Sequence, residues 1–154
     1  MDAYEGDVDG EGYRQALAIA RTRTCRAPWP KVFLVSTPTI KGLSRIEREF
    51  EASDQCRFFV PCPHCGSLQW LKFERLKWTG GQPTTAAYHC EGCDRGIAEH
   101  HKTAMLSTSE WRATATPSDP HCVEFHISGL YSPVGWLAWA GIAREWEAAQ
   151  GNDA

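Results

Sequence analysis

The order of apolar and polar residues changes period along the chain, and each period predicts a different kind of element. Residues 13–26 place Leu17 and Ala20 or Arg21 on successive turns, a helical spacing, and Pro28-Trp29-Pro30 stops it. The segment before it, MDAYEGDVDGEG, is interrupted by Gly6, Gly10 and Gly12 and cannot be helical throughout. Lys31 to Val35, KVFLV, is a short continuous apolar run ahead of the loop residues STPTIKG, which predicts a buried strand of a parallel sheet. Ser44 and Glu47 then form S-x-x-E, a capping box for a helix reaching about Ser53, with Ile46 and Phe50 on one face. Helix, strand, loop and helix in this order read as an α/β layout.

From Cys56 the period shortens. CRFFV, LQWLKF and AAYH are brief, aromatic and separated by glycines and prolines, as in a small β module. Residues 97–106, IAEHHKTAML, read as a helix, and EWRAT and CVEFHIS as two further strands near 110–113 and 122–127. Ser132-Pro133 is suited to open a closing helix over 133–149. Trp136, Trp139 or Ala140, Ala143 and Trp146 mark its apolar face, and Gly141 weakens it by roughly 1 kcal/mol relative to alanine. The expected division is therefore an α/β part over 1–55, a β module over 56–96 and a return segment over 97–154.

Length and composition constrain this picture without changing it. A chain of 154 residues suits one domain or part of a larger one, and 42% apolar with 23% charged residues is globular usage. The net charge of −3 gives no whole-chain electrostatic case for nucleic acid. Local basic runs (Arg21, Arg23, Arg26 and Lys31, then Lys72, Arg75 and Lys77) read first as solvated faces. No apolar stretch is long enough to span a bilayer, and the acidic start lacks the apolar core of a secretory signal. Seven cysteines, an odd number, argue against a secreted disulfide framework and for a reducing, cytoplasmic setting.

Four of those cysteines change the picture. Cys62-Pro-His-Cys65 and Cys90-Glu-Gly-Cys93 are two C-x-x-C pairs with 24 intervening residues, 66–89. Each pair turns the chain tightly enough for two sulfurs to face one point, and two such turns on adjacent hairpins complete a tetrahedron for zinc. A redox C-x-x-C usually stands alone at a helix start beside a βαβ unit, whereas strand-like segments surround this one. Four thiolates leave no open position, so the expected zinc is structural and not catalytic. Gly66 and Gly92 would relax the two turns. His64 and His89 neighbour the ligands, but the pairs are complete without them. Cys25, Cys56 and Cys122 lack a partner at ligand spacing and read as buried thiols.

Other motifs are weaker. Asp7, Asp9, Glu11 and Gly12 match the start of a calcium loop, but Ala18 stands where its bidentate glutamate belongs, so a solvated acidic loop is the plainer reading. Ser36-Thr37-Pro38 ends the expected strand, which makes it either a ligand-facing edge or a simple turn. No phosphate-binding loop occurs, and IKGLS has its lysine, glycine and serine in the wrong order.

Taken in order, DAYEGDVDGEG, the run STPTIKGLSRIEREFEASDQCRFFVPCPHCGSLQWLKF, YHCEGC and FHISGLYSP resemble the large terminase subunit of lambda-like tailed phages over nearly the whole chain. The resemblance implies an α/β fold: a partial P-loop-type ATPase sheet carrying an inserted β-rich zinc ribbon. It implies a role in packaging viral DNA, with ATP and Mg²⁺ used by the intact protein and structural Zn²⁺ held by Cys62, Cys65, Cys90 and Cys93. Its implied partners are double-stranded viral DNA, the small terminase subunit and the portal, in an assembly open to oligomers and away from membranes, inside the bacterial host. Ser36-Thr37 resembles the coupling motif that relays γ-phosphate state into motion. In the family the phosphate-binding loop and Walker B carboxylates precede the position of Met1, and the nuclease carboxylates follow that of Ala154. The chain therefore reads as a middle portion, inactive alone and poorly soluble. The alternative is a stand-alone zinc-ribbon module binding nucleic acid or protein, with Trp70 and Trp78 interleaved with Lys72, Arg75 and Lys77. Those aromatics read more simply as core.

Overall fold

The computed structural model describes residues 20–21, 32–37 and 44–151. The acidic loop with its calcium-like pattern, Cys25 and most of the expected first helix lie outside the described residues, although Ala20 and Arg21 are helical. The chain forms two compact units, residues 1–52 and 53–154.

In the first unit, α1 spans Arg45–Ala52, as the S-x-x-E pattern predicts. Ser44 stands just before it and its carbonyl accepts the Arg48 N–H at 3.3 Å. The Ser44 hydroxyl is buried and takes no hydrogen bond, so the helix begins at the expected place without the reciprocal side-chain cap. KVFLV departs from expectation. Residues 32–37 form no strand, and Phe33 and Val35 are 88% and 80% exposed. A strand of a parallel sheet is held by flanking strands and covering helices. Among the described residues no strand pairs with this run, so its composition alone does not make it one.

The second unit holds two sheets. β1 (Cys56–Pro61) is central in the first and pairs antiparallel with β2 (Leu68–Trp70) and β6 (Glu110–Arg112). β7 (Phe125–His126) runs parallel to the start of β1. Between the β7 and β2 pairings the Phe58 carbonyl is satisfied by the Tyr131 hydroxyl at 2.7 Å, which also accepts the Leu71 N–H at 2.6 Å. The second sheet is an antiparallel run of β3 (Leu76–Thr79), β4 (Gln82–His89) and β5 (Gly96–Ile97). Gly81, at φ +72°, turns β3 into β4 in the left-handed region that glycine adopts freely.

Residues 97–154, expected as a separate return segment, belong to this same unit: β6 and β7 both pair with β1. The helix expected over 97–106 is split into β5, a 3₁₀ turn at Glu99–His101 and α2 (Lys102–Ser107). α3 spans Trp139–Gly151, so it starts later than Ser132-Pro133 suggested. Its first N–H group finds its acceptor elsewhere in the chain: both Glu99 carboxylate oxygens lie 3.2 Å from the Trp139 N–H. The same glutamate binds the fully buried Lys102 ammonium at 2.8 Å, which donates further to the carbonyls of Ser132 at 3.0 Å and Leu137 at 3.4 Å. Lys102 thus satisfies its three protons and ties residues 132–137 into a loop. Trp136, assigned by its spacing to the helix face, sits in that loop and is 86% exposed. Trp139 and Ala143 are buried, and the Trp139 indole N–H donates to the Leu130 carbonyl at 3.0 Å.

One core joins Val60, Leu71, Leu76, Tyr88, Ile97, Met105 and Trp139, and it includes Cys62 and Cys90. Trp78, expected as core, is half-buried, and its indole donates to Glu147 of α3 at 2.9 Å. No helix among the described residues is long and apolar enough to cross a membrane.

Candidate metal centre

The loops of two hairpins place the four cysteines together. Cys62 to Cys65 lie between β1 and β2, and Cys90 to Cys93 between β4 and β5. The two loops close with the same hydrogen bonds. Cys62 N–H donates to the Ser67 carbonyl at 2.9 Å and Gly66 N–H to the Cys62 carbonyl at 2.8 Å. Their counterparts are Cys90 to Arg95 at 3.1 Å and Asp94 to Cys90 at 3.0 Å. In each loop the N–H two residues on approaches the first sulfur: His64 to Cys62 at 3.4 Å, Gly92 to Cys90 at 3.3 Å.

All four sulfurs lie within 4.8 Å of one another. Cys62 and Cys93 are separated by 3.9 Å, Cys65 and Cys90 by 3.7 Å, and all four are free thiols. A tetrahedron with Zn–S bonds of about 2.3 Å has S···S edges of ~3.8 Å, close to the two short separations, so the donor set suits a tetrathiolate metal site after a small closing of its longer edges. The acid–base properties of the cluster point the same way. Burial pushes the Cys62 thiol up to about 12. Burial opposes ionisation of Cys90 as well, but the Cys93 and Gly92 N–H groups and the Cys62 thiol outweigh it and bring Cys90 down to about 7. The Arg95 N–H lowers Cys93, but desolvation and the Cys65 and Cys90 thiols outweigh it and hold Cys93 above its ordinary value. Of these three thiols Cys90 is the one whose thiolate the loop favours, and a divalent cation at the cluster would stabilise thiolate ligands.

The two histidines beside the ligands face the backbone. His64 Nε2 lies 3.3 Å from the Gly96 carbonyl and His89 Nδ1 3.1 Å from that of Asp94. Gly66 relaxes its turn as expected, with φ +72°. Gly92 serves a different purpose: its φ is not left-handed, and a Cβ there would stand 3.0 Å from Ser67 Cβ and Oγ. Asp94, at φ +54°, holds the position equivalent to Gly66.

Two supporting residues carry no signal in a C-x-x-C pattern. Arg75, read in sequence as part of a basic run, donates to the His89 carbonyl at 2.9 Å, to the Cys90 carbonyl, and to Asp94 at 2.7 Å. Buried Gln69 accepts the Glu91 N–H at 2.7 Å. Of the other two cations in that run, Lys72 pairs with Glu91 at 2.6 Å and lies 4.1 Å over the Trp70 ring, and Lys77 is exposed with its charge felt by Asp94. Ser36 and Thr37 are exposed and belong to the other unit. Cys56 is buried; burial and its hydrogen bond to Asp54 push its thiol up to about 11. Cys122 is half-buried.

Comparison with known proteins gives the chain its family. Residues 1–111 match the family described as "Phage terminase large subunit gpA, ATPase domain". This chain belongs to the phage terminase large subunit family. The terminase large subunit of Enterobacteria phage P21 is 32% identical over 171 residues, covering 95% of this chain and 26% of the relative. That of Escherichia phage lambda is 32% identical over 176 residues, covering 99% and 26%. The chain thus spans about a quarter of the length of these terminases. No solved structure matches it.

Proposed function

We propose that the chain serves viral DNA packaging as part of a terminase large subunit, and that its two cysteine hairpins are a structural zinc ribbon inserted in an α/β ATPase-type domain. The observation that carries the ribbon is the set of four sulfurs within 4.8 Å of one another on two like loops. When bound, zinc supplies a rigid cross-link. Four thiolates fill its coordination, so no position remains for substrate or water. The chain's own residues do the remaining work: loop N–H groups stabilise the sulfurs and Arg75 fixes the second loop. The packaging role rests on family membership. In this reading the intact subunit binds ATP and Mg²⁺, acts on double-stranded viral DNA, and meets a small subunit and a portal. Val32 to Val35 would then enter a P-loop-type sheet when neighbouring strands are present, with Ser36 and Thr37 at its end as the coupling motif.

The test is to assay the purified, reduced chain for metal and for nucleotide turnover. The expected result is bound zinc with ATP hydrolysis at background. Turnover above background would overturn the division of labour, and a folded chain lacking metal would overturn the ribbon.

A further inference from the structure

The four sulfurs of the cluster differ in their access to water. Cys62 and Cys90 are 2% and 0% exposed and belong to the core. Cys93 is half-buried and Cys65 is exposed. Each loop therefore turns its first cysteine inward and its second outward, and the outward turn is greater in the first loop. The two outer cysteines are also held differently. Arg75 grips the second loop through the Cys90 carbonyl and Asp94. The first loop has the exposed His64 ring against the Gly96 carbonyl. Cys65 is thus the ligand most open to a reagent and the one whose loop can move with the least loss.

Its nearest sulfur contact crosses between the loops. Cys65 Sγ lies 3.7 Å from Cys90 Sγ, 25 positions along the chain, and Cys62 Sγ lies 3.9 Å from Cys93 Sγ. Zinc has no redox chemistry of its own, so electrons lost by such a site come from its thiolates. Coordination slows attack on every ligand, and access then decides which sulfur reacts first. The other described cysteines compete poorly: Cys56 is buried with its thiol proton donated to Asp54, and Cys122 is half-buried.

We propose that Cys65 is an oxidation site, at which a hydroperoxide converts the zinc cross-link between the two loops into a Cys65–Cys90 disulfide. This rests on the ribbon reading. In the first step the Cys65 thiolate attacks the peroxide: an S–O bond forms, the O–O bond breaks, and the leaving oxygen takes a proton. The product is a sulfenic acid, a poor zinc ligand. In the second step the Cys90 thiolate attacks that sulfur. The S–S bond forms and the S–O bond breaks, and hydroxide leaves to become water on taking a second proton. Two thiolates, one hydroperoxide and two protons give one disulfide, one water and the alcohol (a second water from hydrogen peroxide). Zinc is left with two thiolates and dissociates. A disulfide within either C-x-x-C pair would untie the loops, whereas this one keeps them joined.

The experiment treats the zinc-loaded chain with hydrogen peroxide. Zinc release is followed with a chromogenic chelator, the sulfenic acid is trapped with dimedone, and disulfides are mapped by peptide mass spectrometry. The expected results are dimedone on Cys65, a Cys65–Cys90 linkage appearing in step with zinc release, and recovery of the zinc-bound form with a dithiol and added zinc. Cys65→His, which keeps four ligands, should release zinc about tenfold more slowly. First oxidation at Cys93, disulfides confined to Cys62–Cys65 and Cys90–Cys93, or zinc release with no linkage between the loops would each overturn the proposal. If Cys65→His loads no zinc, the mapping on the native chain decides by itself. Zinc content before oxidation separates the two readings: a folded, reduced chain without metal breaks the ribbon and this inference with it. A zinc-bound chain that follows another course of oxidation breaks this inference alone.

Discussion

The two cysteine loops share a backbone and differ in how they are held. Both close through the same pair of hydrogen bonds and both require a left-handed residue four positions after the first cysteine. The first loop meets that requirement with Gly66 and stands largely in solvent, with Pro63, His64 and Cys65 exposed. The second meets it with Asp94, a residue with a Cβ, and is bound to its surroundings: Arg75 grips two of its carbonyls and Asp94, Gln69 takes the Glu91 N–H, and Gly92 packs on Ser67. One local conformation is thus reached by two routes. Intrinsic glycine freedom serves the first, and tertiary contacts outweigh a less favourable residue in the second.

The largest effect should come from removing what the loops share. Cys90→Ser should abolish stable metal binding and cooperative folding of residues 53–154, since structural zinc contributes on the order of 10 kcal/mol to small metal modules. Chelation, or acidification that protonates the thiolates, should act the same way and be visible as lost near-ultraviolet dichroism. Next come changes confined to the second loop. Arg75→Ala removes the side-chain hydrogen bonds to the His89 and Cys90 carbonyls and the contact with Asp94, and should cost about 1–3 kcal/mol in urea unfolding. Gly92→Ala drives a Cβ against Ser67 and should cost roughly 1–3 kcal/mol, relieved in part by Ser67→Gly. The equivalent change in the first loop, His64→Ala, loses only an exposed contact with the Gly96 carbonyl and should cost less, under about 1 kcal/mol. Gly66→Ala has open space and only the left-handed backbone against it, so a loss of about 1 kcal/mol is expected. Smallest is Asp94→Gly, which relieves the backbone while losing the Arg75 contact, and should leave the melting temperature nearly unchanged. Asp94→Ala loses the contact without that relief and should lower it.

What could be read in the sequence was what short-range geometry decides. The spacing within and between the C-x-x-C pairs is a property of tight turns and hairpins, and it predicted which four cysteines the fold brings together. Strand positions near Cys56, Leu68, Tyr88, Trp111 and Phe125 followed from aromatic, β-prone runs. The misreadings occurred where distant partners decide. KVFLV is apolar enough for a strand, but a strand needs a neighbour, and none among the described residues pairs with it. α3 begins at Trp139 because Glu99, forty positions earlier, caps it, and no local signal at Ser132-Pro133 reveals that. Arg75 looked like one charge in a basic run because its acceptors are backbone carbonyls, which every residue has. Gly92 was read as a flexible turn residue when its role is steric, a distinction visible only once Ser67 is beside it.

The central claim is a closed tetrathiolate zinc formed by the two loops, and cobalt substitution with cysteine mapping tests it most directly. The account predicts one metal per chain with the intense thiolate charge-transfer and d–d bands of a tetrahedral four-sulfur site. It also predicts that Cys62, Cys65, Cys90 and Cys93 resist alkylation until a chelator is added, while the reactivity of Cys25, Cys56 and Cys122 does not follow the metal. A folded, reduced chain that binds no metal would contradict it, as would a site whose spectrum requires nitrogen ligands or whose protection omits any of the four cysteines.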